Sequence, residues 1–93
     1  MKSYQVENCK AIANYYGIDN QILIAIEEMS ELTKELCKYE RKFHREREIA
    51  EELADVSIMV EQLIELFGVE RNVSEIIDYK LNRQLRRIDN ERE

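Results

Sequence analysis

Only two glycines and no proline punctuate this 93-residue chain, and that scarcity constrains its fold more than any other feature. Sheets need frequent turns, and turns draw on residues that accept positive φ or arrive with φ already set. With helix breakers only at Gly17 and Gly68, the chain reads as long helices joined by few connections. The first helix is expected from about Ser3 or Tyr4 to Tyr16, where Val6, Cys9, Ile12, Ala13 and Tyr16 follow the helical period and Gly17 supplies a left-handed C′ residue. The second begins near Asn20, with Asp19 or Asn20 as its cap, and ends near Tyr39. The third runs from about Glu46 to Phe67, stopped by Gly68. The fourth opens on Asn72-Val73-Ser74-Glu75, a capping-box pattern, and frays over Asp89 to Glu93.

This makes a single all-α domain over residues 1–93, four-helix bundle-like. Hydrophobic residues are 44% of the chain and charged residues 37%, of both signs, which suits packed helices rather than a disordered acidic tail. A formal net charge of −6 argues against a nucleic-acid polymer as partner, which would call for a basic face. No run approaches the ~18 apolar residues of a membrane span. Cys9 and Cys37 form no CxxC motif, and the start lacks an apolar h-region, so the thiols read as reduced cysteines of a cytoplasmic protein.

Two acidic words stand inside the middle helices: Glu27-Glu28-Met29-Ser30-Glu31 and Glu51-Glu52-Leu53-Ala54-Asp55. Each carries an i, i+3 carboxylate pair, Glu28 with Glu31 and Glu52 with Asp55, and residues three apart share a helix face. Two antiparallel central helices turning these pairs toward each other gather four carboxylates. Those repel unless a cation lies between them, and a hard, oxygen-seeking ion, Mg²⁺ or Mn²⁺, suits them.

The stretch from Glu40 to Arg45 has no breaker, and propensity alone lets helix run through it. A charged connection there is nevertheless expected, because it brings the two words nearly level, whereas a tight turn at His44 offsets them by roughly 8 Å.

In the second helix, Ile22, Ala25, Ile26, Met29, Leu32, Thr33 and Leu36 form an apolar stripe, with Glu27, Glu28 and Glu31 opposite. That is the pattern of a solvated acidic face, except that Ile24 shares the sector of Glu28 and Glu31. In the third helix Glu52 lies inside the apolar stripe, between the directions of Val56 and Met59, with Asp55 at its edge. A carboxylate facing a core is costly unless paired, protonated or metal-bound. Ile58 makes this helix apolar on a second side, which points to another packing partner and so to a homo-oligomer. On the fourth helix, Lys80, Arg83 and Arg87 align with Ile76 beside the apolar stripe, a row suited to a polyanion.

Glu27-Glu28-x-x-Glu31 followed by Glu52-x-x-Asp55 resembles the EExxE…ExxD signature of the all-α nucleoside triphosphate pyrophosphohydrolases, in particular the small MazG-like members. Lys80-Leu81-Asn82-Arg83 resembles the Lys/Arg element on that family's last helix, and the likeness covers roughly Ile22 to Ile88. The resemblance implies Mg²⁺ held by Glu28, Glu31, Glu52 and Asp55. It further implies hydrolysis of (deoxy)nucleoside triphosphates to monophosphate and pyrophosphate, in a homodimer or dimer of dimers. On that reading Glu27 accepts a proton from the attacking water, with Glu51 a weaker choice. Lys80 and Arg83 neutralise the pyrophosphate, with Arg87 further out, and Lys34 and Lys38 are second candidates for the phosphates.

Plainer readings stand beside these. Glu52 can form a buried ion pair with Arg83 or Lys80. Lys34 and Lys38 can be surface pair formers with Glu31 and Glu35. The whole chain can be a non-catalytic helical interaction or regulatory module. A di-iron bundle wants Glu-x-x-His pairs, and the only histidine is His44.

Overall fold

The computed structural model describes residues 1–92, and these are almost wholly helical, without strands. Four helices follow one another: α1 (Ser3–Tyr16), α2 (Ile18–Glu40), α3 (Glu46–Phe67) and α4 (Glu70–Arg92). Both glycines act as the sequence suggests. Gly68 is left-handed at φ 65°, ψ 37°, and its N–H bonds the carbonyls of Ile64 and Glu65. Gly17 sits at φ 87°, ψ 167°, outside the helical basin, a conformation that L side chains rarely adopt.

Two expected caps are replaced. The second helix starts at Ile18, directly after Gly17, so Asp19 lies in its first turn rather than capping it. The capping box at Asn72 is not used either. The fourth helix starts at Glu70, because the chain re-enters helix straight after Gly68, and Val73 N–H already bonds Val69 C=O at 2.8 Å. At its far end α4 stays helical through Arg92, where fraying from Asp89 was expected; Glu93 lies outside the described residues.

α1, α2 and α3 pack on one another, with α2 and α3 as the principal pair, while α4 meets chiefly α3 and its Glu70 lies 3.9 Å from Lys10 of α1. The bundle within one chain is therefore three helices and an arm. The radius of gyration, 16.2 Å, exceeds the roughly 12 Å of a compact chain this long. The core is thin: Cys9, Ala13, Ala25 and Met59 are its buried hydrophobic residues, joined by Gln21, Glu35 and Gln62. Cys9 and Cys37 are both free thiols, the first buried and the second exposed.

The face that α2 packs inward overlaps its apolar stripe only in part. Gln21, Ile22, Ile24, Ala25, Glu28, Leu32 and Glu35 are buried or half-buried, while Ile26, Met29, Thr33 and Leu36 of the stripe are exposed. At ~100° per residue this is a rotation of roughly a quarter turn toward the acidic word. The opposition between apolar and acidic sides therefore fails for Glu28, and Ile24 marks the true inward side. On α3 the packed row passes through Glu52, Val56 and Met59, as the sequence indicates, but the apolar Leu53, Val60 and Phe67 are exposed. The stripe of α4 is open too, with Leu81 58% and Leu85 59% exposed.

Candidate metal centre

Glu28 on α2 and Glu52 and Asp55 on α3 come together. One carboxylate oxygen from each lies within 4.8 Å of the others, with Glu28 and Glu52 half-buried and Asp55 exposed. The rotated face of α2 brings Glu28 in, and the inward row of α3 brings Glu52. Glu31, the fourth expected ligand, lies outside this trio and is exposed, yet its charge is felt by both Glu28 and Glu52.

The electrostatics are those of crowded anions. Partial burial pushes the Glu28 carboxyl above its ordinary range, helped by the charges of Asp55, Glu52 and Glu31. Glu52 is raised in the same way, by burial first and then by Asp55, Glu31, Glu35 and Glu51. Oε2 of Glu52 is enclosed and has no hydrogen-bond partner. An enclosed, unpartnered carboxylate oxygen among like charges is what a small oxygen-seeking cation relieves, so the donor set fits Mg²⁺ or Mn²⁺.

The remaining candidates are more scattered. Glu27 is exposed beside Glu28, and Glu51 is held by Arg47 at 3.5 Å. Lys38 Nζ lies 3.7 Å from Glu35, as a surface pair would, but Glu35 itself is only 7% exposed. Lys34 is exposed. On α4, Lys80 is exposed and Arg83 half-buried, its guanidinium 5.7 Å from the centre of the Tyr79 ring and its Nε enclosed without a partner. Among the described residues no ion pair joins Lys80 or Arg83 to the acids of α2 or α3, so the alternative of a buried Glu52–Arg83 pair is not realised within one chain.

A site partner that the sequence did not single out is Arg45. Its Nε donates to Glu35 Oε2 at 2.9 Å and its Nη2 to Glu35 Oε1 at 3.0 Å, a two-pronged contact between the connection and α2. Arg45 is the last residue of the charged connection, and nothing local in the sequence marks its partner ten residues away.

Two depressions lie along α3. One, of about 600 Å³, is toward its far end between Lys10, Glu65, Glu70 and Ser74. A smaller, mostly apolar groove of about 350 Å³ runs between α1 and α3 and is lined by Gln5, Asn8, Ile12, Ala54, Ser57 and Ile58, without any of the three acids. Among the described residues no helix is long and apolar enough to cross a membrane. Comparison of the chain with protein-family models, with curated proteins and with solved structures returned no match.

Proposed function

We propose that this chain is a MazG-like, Mg²⁺-dependent nucleoside triphosphate pyrophosphohydrolase. The observation that carries the reading is the convergence of Glu28, Glu52 and Asp55 from two helices, with an unpartnered Glu52 oxygen among them. The order of the two acidic words and the Lys80-Leu81-Asn82-Arg83 element support it.

In this reading Glu28, Glu52 and Asp55 hold the cation, and Glu31, one turn along α2 from Glu28, completes the set. A cation held there would neutralise phosphate oxygens and make the attacking water more acidic. Water attacks the α-phosphorus, the α–β anhydride breaks, and monophosphate and pyrophosphate leave. Glu27 is exposed next to Glu28 and takes the proton of the attacking water. Lys80 and Arg83 balance the charge on the departing pyrophosphate. Of the two α2 lysines, Lys34 is the freer to help, since Lys38 is engaged with Glu35.

The active form is a homodimer or a dimer of dimers. A monomer of 11.2 kDa is expected to expose about 5,700 Å², yet this chain exposes 7536 Å². The excess, roughly 1,800 Å², matches what each partner buries in an obligate pair. The exposed stripes of α2 and α4 are apolar enough to be that surface.

Incubating the chain with a panel of nucleoside triphosphates and Mg²⁺ tests the activity. Monophosphate and pyrophosphate in equal amounts support it. An untouched panel favours the alternative, a non-catalytic interaction or regulatory module.

A further inference from the structure

The α2–α3 connection has no obvious reason to stay broken. Arg41 to Arg45 contain neither glycine nor proline, and Lys42 adopts φ 69°, a left-handed conformation unusual outside glycine. α3 starts without a side-chain cap. The residue at its N-cap position, Arg45, instead spends its guanidinium on Glu35, with Lys38 3.7 Å from Glu35 and Glu48 3.9 Å from Arg45.

The positions of the two fork residues match the acid cluster. Glu35 is seven residues beyond Glu28 on α2, and Arg45 is seven residues before Glu52 at the start of α3. The fork therefore lies two turns from the acids on both helices, about 10 Å along each. We propose that the Glu35–Arg45 fork is the register clamp of the acid cluster, a positioning pair that sets Glu28 level with Glu52 and Asp55. The proposal rests on the reading of that cluster as a cation site.

The physical need is specific. Ala25, Leu32, Val56 and Met59 are buried or half-buried, and contacts of that kind are non-directional, so they resist a slide between helices only weakly. A slip of one residue moves a helix by about 1.5 Å and turns it by ~100°, enough to swing a carboxylate off the cluster. A two-pronged guanidinium–carboxylate contact is geometrically selective, and setting register is the best-attested use of polar groups taken out of water between helices. The pair also holds its charges, because Arg45 keeps the Glu35 carboxyl below its ordinary range and Glu35 keeps Arg45 above its own.

The test separates register from stability. Replacing both partners with methionine, Glu35→Met with Arg45→Met, removes the fork without stranding a charge, a change that is often neutral for folding. Mn²⁺ alone is titrated by electron paramagnetic resonance. The α2–α3 separation is read by pulsed spin-label distances between Ser30→Cys and Ala50→Cys in a Cys37→Ser background, diluted with unlabelled chain. The clamp predicts at least a tenfold loss of Mn²⁺ affinity together with a shifted or split distance distribution, and recovery of both in the reversed fork, Glu35→Arg with Arg45→Glu. A folded methionine pair that keeps either the affinity or the distances of the parent overturns it. If the methionine pair does not fold, Arg45→Lys, which keeps the charge and loses the fork, takes its place. If even the parent takes up no Mn²⁺, the cation reading has failed, and the distances alone decide the clamp: shifted upholds it, unchanged overturns it.

Discussion

Glu28 and Asp55 belong to different helices, yet their carboxylates stand within 4.8 Å of each other with Glu52 between the same limits. Without a cation this arrangement costs the fold free energy. Burial and mutual repulsion raise the Glu28 and Glu52 carboxyls, so ionising them at neutral pH favours the unfolded chain, where each would titrate normally. The sign of the first prediction follows. In the absence of divalent metal, Glu52→Gln raises the thermal midpoint at pH 7. With excess Mg²⁺ the order reverses, because linkage contributes about 2.7 kcal/mol at a hundred times Kd to the parent and nothing to the mutant. Equal midpoints with and without metal in both proteins remove Glu52 from a cation site.

The Glu35–Arg45 pair has the opposite pH signature. The Glu35 carboxyl is held below its ordinary value of 4.5, so its contribution is complete above that value and is lost as pH falls through the lower folded value. Denaturant midpoints of the parent and Glu35→Gln, measured from pH 7 to pH 3, should differ by a constant amount at neutral pH and converge below about 4.5. A gap that does not change with pH contradicts an ionised fork.

Much of the fold was legible in the sequence, for reasons that also explain the misses. α3 matches its expected span because Gly68 ends it and its apolar row runs nearly its whole length. Glu52 was readable as inward-facing because it interrupts that row between Val56 and Met59. The packed side of α2 was legible only in part, since its widest apolar stripe overlaps that side at Ile22, Ala25 and Leu32 alone. Periodicity reports every apolar surface of a helix, including surfaces that its own chain leaves open, as at Met29 and Leu36. The pairing of Glu35 with Arg45 was hidden because a charge in a charged segment carries no local sign of its partner. The cap at Asn72 was overridden by a stronger device, the left-handed Gly68, just before it.

Open apolar surface motivates the third prediction. Sedimentation at micromolar concentration should give at least a dimer of the 11.2 kDa chain. Leu81 and Leu85 are more than half exposed in the single chain, so Leu81→Glu with Leu85→Glu leaves helix content intact and lowers the oligomeric state. A parent that sediments as a monomer contradicts the assembly.

Division of labour between helices gives the fourth. Arg83→Ala should lose at least about tenfold in kcat/KM, the equivalent of ~1.4 kcal/mol, while its stabilisation by Mg²⁺ survives. Asp55→Asn should lose activity and metal response together. Full activity in Arg83→Ala would make α4 structural and leave Lys34 as the next phosphate contact.

The most direct test of the cation site is calorimetric titration of Mg²⁺ into the parent chain and into Asp55→Asn. The account predicts a saturable isotherm for the parent that disappears, or weakens at least about tenfold, in the mutant, with both proteins equally helical. A parent that takes up no Mg²⁺, or a mutant that binds it as the parent does, contradicts the assignment of Glu28, Glu52 and Asp55 to a metal.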